Sequence, residues 1–128
     1  MNLVMPSLLI TDDDRDFRET LRGVFEDRGY RTLVAGDGDE AVRIVQEHPV
    51  HLMLLDMHMP RLNGLDAIRQ IRKLPCTTPF ILLSAALTDG VIAEARTFDP
   101  FSILSKPVRL AEVTSKVRQA LEQFYHFQ

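Results

Sequence analysis

The chain has 128 residues, 45% apolar and 26% charged, which suits one ordinary hydrophobic core and excludes a disordered chain. With 15 basic and 18 acidic side chains the net charge is −3, so no basic surface is available for nucleic acid, and the single cysteine excludes an intrachain disulfide or a cysteine metal centre. No run is apolar enough to cross a bilayer, and the start, Met1-Asn2-Leu3-Val4-Met5-Pro6, lacks the basic region and apolar length of a secretory leader. The expectation is a cytoplasmic protein of one domain over residues 1–128, with its core at about 7–125 and no direct contact with DNA or membrane.

Leu8-Leu9-Ile10-Thr11 reads as a short strand that runs into Asp12-Asp13-Asp14. Phe17, Leu21, Val24 and Phe25 then recur at helical spacing, with Asp14 as the N-cap and Gly29 as the stop. Arg31 to Ala35 is a second strand, and Gly36-Asp37-Gly38 the turn out of it. A second helix carries Ala41, Ile44 and Val45 and ends before His48-Pro49, because a proline disfavours helix at the preceding residue.

The third strand, Leu52 to Asp56, has no polar alternation, as expected of a parallel strand covered on both faces. Asn63-Gly64 supplies a turn, and a third helix presents Leu65, Ile68 and Ile71 until Pro75 stops it. Phe80-Ile81-Leu82-Leu83 is a fourth strand closing on Ser84. Thr88 caps a weaker helix carrying Val91, Ile92 and Ala95. Ser102-Ile103-Leu104-Ser105 is the last strand and ends at Lys106-Pro107. Leu110, Val113, Val117, Leu121 and Phe124 form one stripe on the final helix.

Five alternations of strand and helix predict an α/β fold, a flavodoxin-like doubly wound (βα)5 sandwich whose parallel sheet has the order 2-1-3-4-5. In that order the carboxyl ends of four strands deliver Asp12 and Asp13, Asp56, Ser84 and Lys106 to one rim. Three carboxylates so placed raise one another's pKa unless a cation joins them. Oxygen ligands alone favour Mg²⁺ (or Mn²⁺). An aspartate in such a site can accept a phosphoryl group, while metal and lysine neutralise charge on its oxygens and the Ser84 hydroxyl donates to one of them.

These motifs, Thr11-Asp12-Asp13-Asp14, Leu55-Asp56-Met57-His58-Met59-Pro60 with Asn63-Gly64, Leu83-Ser84-Ala85 and Ser105-Lys106-Pro107, resemble those of the receiver (response-regulator) domains of two-component signalling, over nearly the whole chain. The resemblance implies that Asp56 is the phosphoacceptor. It also implies that Asp12, Asp13 and Asp56 hold Mg²⁺ with the main-chain carbonyl of His58, that Ser84 and Lys106 bind the phosphoryl group, and that the Lys106-Pro107 bond is cis. His58 and Ala86 fall at positions that tune phosphate loss in this family. Two departures stand out: Ile103 occupies the place of the usual switching aromatic, and Phe98-Asp99-Pro100-Phe101 replaces the usual Gly-Ala turn.

The leading expectation is a phosphorylation switch, charged by a sensor histidine kinase or phosphotransfer protein and read by a downstream effector protein or domain. It has no independent turnover substrate, and a homodimer is compatible with it. Added charge of about −1.5 to −2 would bias a two-state surface on the fourth helix, last strand and last helix. Two alternatives stay open. Asp12-x-Asp14 with Ser84 and Lys106 imitates part of a haloacid-dehalogenase-type phosphatase, although the later acidic metal-binding pair is missing. A phosphorylation-independent protein-binding receiver is suggested by Ile103 alone. No effector sequence follows the last helix, which fits either a stand-alone receiver or one cut from a longer regulator.

Overall fold

A computed structural model describes residues 5–126. Residues 1–4, read above as lacking a leader, and 127–128 lie outside the described residues. Strands β1 (Ser7–Thr11), β2 (Arg31–Ala35), β3 (Leu52–Asp56), β4 (Phe80–Ser84) and β5 (Ser102–Ser105) alternate with helices α1 (Arg15–Asp27), α2 (Gly38–Glu47), α3 (Gly64–Ile71), α4 (Asp89–Arg96) and α5 (Leu110–Tyr125). All strand pairs are parallel and the sheet order is β2-β1-β3-β4-β5, as expected.

The apolar strands explain the three layers. Side chains alternate across a sheet with a period of two. Leu8, Ile10, Leu52, Leu54, Ile81 and Leu83 therefore face Leu21 and Phe25 of α1 and Val113, Val117 and Leu121 of α5. Leu9, Met53, Leu55, Phe80 and Leu82 face the other way, onto Ala41 of α2, Leu65, Ile68 and Ile71 of α3, and Ala95 of α4. Each fully buried Leu or Phe contributes about 1.5–3 kcal/mol by leaving water. Strands that face two apolar layers have no polar face to show, hence the unbroken runs.

Side-chain caps set the starts of the first four helices, while α5 has none. Asp14 accepts from the Phe17 N–H, Asp37 from Glu40, Asn63 from Asp66 and Thr88 from Val91. Asp37→Ala is expected to cost about 1 kcal/mol in urea unfolding, because its carboxylate satisfies an otherwise orphaned N–H of α2. The Asp37 pair with Arg61 at 3.4 Å adds little, since Arg61 is exposed. An Arg61→Ala variant that loses as much would contradict that division. At the end of α1, Gly29 has φ +87°, a left-handed conformation that favours glycine.

Two expectations need correction. Pro75 does not stop α3, which ends at Ile71. Arg72 turns back there, donating to the carbonyls of Cys76 and Thr78, and these bonds organise the connection to β4. The α5 stripe is buried only in its middle, with Leu110 41% and Phe124 48% exposed. The sheet is shorter than this helix, so the two ends overhang it. Phe124 instead meets the Phe101 ring edge-on, their centroids 6.0 Å apart. No helix among the described residues is long and apolar enough to cross a membrane.

Candidate functional site

Because every strand is parallel, all five carboxyl ends open on one edge of the sheet, where the helix caps also begin. Asp12 follows β1, an interior strand beside the central β3, and its backbone N–H donates to the Ala35 carbonyl at 3.1 Å. Its side chain is fully buried, accepting from the Asp14 N–H at 2.9 Å and from Lys106 Nζ at 2.7 Å. Asp56 closes β3 and is 3% exposed. Lys106 Nζ reaches it at 3.4 Å, and the His58 N–H donates to its Oδ1, also at 3.4 Å. Asp13 is exposed, yet its carboxylate completes a group with Asp12 and Asp56 in which one oxygen from each lies within 4.8 Å of the others.

The electrostatics follow from that packing. Burial, followed by the nearby Asp12 charge, pushes the Asp56 carboxyl up from 3.8 to about 6, against the opposing pull of Lys106 and the His58 N–H. Burial lowers the Lys106 pKa, but bonds to Asp12 and the charges of both carboxylates outweigh it and raise the pKa overall. The ammonium also lies over the Phe17 ring, 4.9 Å from its centroid. The Lys106-Pro107 peptide is cis. Beside the lysine, a cavity of about 310 Å³ lined by Asp14, Phe17, Ala85, Lys106, Pro107 and Val108 opens to solvent.

Three oxygen donors, two of them buried, suit a hard divalent cation, which would also favour the charged form of an Asp56 carboxyl raised by burial and then by Asp12. The group therefore fits Mg²⁺ or Mn²⁺. Ser84, fully buried at the end of β4, accepts from the Ala86 N–H at 3.1 Å and shares a hydrogen bond of 3.2 Å with His58 Nε2. The imidazole of His58 is thus tied to Ser84 as well as presented at the surface. Asp14 is exposed and spends its carboxylate on the α1 cap. Ile103 is half-buried on the α3–α4 side, against the cluster that includes Ala95.

Sequence reasoning missed Arg18, whose Nη1 donates to the Asp12 carbonyl at 2.9 Å and pins the loop carrying Asp12 and Asp13. A helical arginine gives no local signal of such a reach. It also missed the close approach beneath Asp56: a Cβ on Gly64 would stand 2.5 Å from the Asp56 carbonyl oxygen. The Gly64 N–H donates to the Met57 carbonyl at 3.1 Å, folding the loop after β3 back onto the strand end.

Residues 8–118 match the family model described as "Response regulator receiver domain". The chain belongs to the response regulator receiver domains. This receiver is similar to Response regulator RR06 of Streptococcus pneumoniae, 30% identical over 93% of this chain and 54% of that protein. It also resembles Response regulator MprA of Mycobacterium leprae, 35% identical over 91% and 51% of the two chains. Transcriptional regulatory protein CpxR of Klebsiella pneumoniae is 32% identical over 93% and 50%. The chain therefore spans about half the length of these curated relatives. Among solved structures, the receiver domain of the Francisella response regulator 1452 superposes with TM-score 0.85 at 29% identity, over 92% and 98% of the two chains. A CheY-like receiver domain protein from Methanospirillum hungatei, 19% identical with TM-score 0.89 over 94% and 96%, shares the fold.

Proposed function

We propose that this receiver domain, one unit over residues 1–128, takes a phosphoryl group onto Asp56 from a sensor histidine kinase or phosphotransfer protein and thereby changes its binding to an effector protein or domain. The observation that carries this reading is one ammonium, Lys106, shared between two buried carboxylates, Asp12 at 2.7 Å and Asp56 at 3.4 Å, with a third at hand. Asp12, Asp13, Asp56 and the His58 main-chain carbonyl would hold Mg²⁺ (or Mn²⁺). Bound there, the ion supplies charge neutralisation for the incoming phosphoryl oxygens.

An Asp56 carboxylate oxygen attacks phosphorus while the bond from phosphorus to the donor breaks, and the donor leaves with that electron pair. The nucleophile must be ionised. With its pKa at about 6 it is largely so at neutral pH, while retaining more basicity than an ordinary aspartate. Lys106 follows the negative charge from carboxylate to phosphoryl oxygen, and Ser84 donates its hydroxyl to another. A donor bearing phosphate has an approach through the cavity beside Phe17 and Lys106. The domain needs no turnover substrate of its own for this.

The phosphatase alternative is not favoured, because Asp14, the second aspartate of the Asp-x-Asp pattern, spends its carboxylate on the α1 cap and is not among the three carboxylates that come together. A binding module without phosphate control remains distinguishable through Ile103, and one experiment separates it. Beryllofluoride with Mg²⁺ should shift amide resonances near Asp56, Ser84 and Lys106 and across α4, β5 and α5, and should change effector affinity. Silence with both beryllofluoride and acetyl phosphate would overturn the phosphorylation reading; a site response without any change in effector affinity would favour the phosphate-independent module.

A further inference from the structure

We infer that the His58 imidazole is the resting partner of the Ser84 hydroxyl, a positioning residue that an incoming phosphoryl group has to displace. This deepens the phosphorylation reading and rests on it.

A hydroxyl offers one proton and two lone pairs. Ser84 Oγ is out of contact with solvent, so its capacity must be met by protein groups. The Ala86 N–H occupies one lone pair at 3.1 Å, and His58 Nε2 takes the remaining principal interaction at 3.2 Å. The same residue donates its backbone N–H to Asp56 Oδ1. Residue 58 thus joins the two poles of the site, its main chain on the nucleophile and its side chain on the hydroxyl that is to meet the phosphoryl group. At position 86 the side chain is a methyl group, which offers the hydroxyl no competing partner.

Capture of a phosphoryl oxygen by Ser84 consequently begins with exchange of one hydrogen bond for another. A single hydrogen bond of this kind has a modest net worth, so its loss should appear as roughly a fivefold change in affinity. His58→Ala is expected to tighten beryllofluoride binding in the presence of Mg²⁺ by about that factor. His58→Gln, which keeps a hydrogen-bonding group, should return the affinity toward that of the wild type. In a Ser84→Ala background His58→Ala should have no effect, because the partner is gone.

The second readout needs no phosphoryl analogue: in the resting protein, Ser84→Ala should move the His58 ring nitrogen resonances. Unmoved ring resonances, an unchanged or weakened affinity in His58→Ala, or the same gain with and without Ser84 would each overturn the inference. If the ring resonances respond to Ser84→Ala but no variant and not the wild type binds beryllofluoride, the phosphorylation reading fails instead, and the displacement step with it.

Discussion

Replacing Asp56 with Asn is expected to abolish phosphoryl uptake from acetyl phosphate and, at about pH 8, to make the fold more stable by about 1–2 kcal/mol. Both effects come from one carboxylate. As the proposed nucleophile it would have no substitute among its neighbours, since Asp12 is engaged by Asp14 and Lys106 and Asp13 is exposed. As a buried charge beside Asp12 it is unfavourable, which is why its carboxyl titrates at about 6 and not at 3.8. A folded-state pKa raised in this way means that the protonated form favours folding. The contribution is complete below 3.8 and is lost as pH rises through about 6. The full shift corresponds to about 3 kcal/mol, and solvent at the sheet edge reduces it to the smaller figure. Urea unfolding across this range should therefore show wild type and Asp56→Asn converging at low pH and separating toward neutrality. Mg²⁺ held at the proposed site should narrow the gap, because it would bind the folded wild type and not the unfolded chain. Parallel curves at every pH would refute the electrostatic account.

Gly64→Ala is the second large effect expected: a loss of about 2 kcal/mol and a collapse of beryllofluoride affinity. The added Cβ would meet the Asp56 carbonyl oxygen at 2.5 Å, with the Asp56 carbonyl carbon and the Met57 Cα at 3.1 Å. All three are backbone atoms, and none can rotate aside as a side chain would. Either the start of α3 or the end of β3 must shift, and the second option moves Asp56, the proposed phosphoacceptor. Gly23→Ala supplies the contrast. Gly23 is exposed inside α1 with nothing within 4 Å of its would-be Cβ, so alanine there should stabilise by about 0.5–1 kcal/mol through helix propensity. Equal behaviour of the two variants would show that steric contact under Asp56 does not govern position 64.

The strands and helices were legible because burial on both faces leaves runs such as Leu52–Leu55 and Phe80–Leu83 without polar residues, while the helices keep a one-sided pattern. Four caps were legible in varying degree, Asp14 and Thr88 as caps and Asp37 and Asn63 only as turn residues. The overhanging ends of α5 were not, since a stripe of Leu110 to Phe124 records apolar spacing and not the length of the sheet beneath it. The rim residues could be gathered from topology alone, because a parallel sheet sends every strand's carboxyl end to one edge. The bond between His58 and Ser84 could not, being a side-chain contact across 26 positions. Arg18 escaped for the same reason, as did the structural place of His51, whose Nδ1 accepts from the Ser7 N–H while its carbonyl accepts from the Tyr125 hydroxyl.

Lys106 stands closer to Asp12 than to Asp56, and so the protein carries an internal counter-ion for the negative charge it has buried. In the proposed chemistry magnesium would then be a reagent and not a brace of the architecture, unlike the zinc of small metal-stapled domains, which unravel on chelation. An ion held at this pole would then come and go without unmaking the molecule. On the proposed mechanism the lysine would surrender its tether only when something more negative arrives.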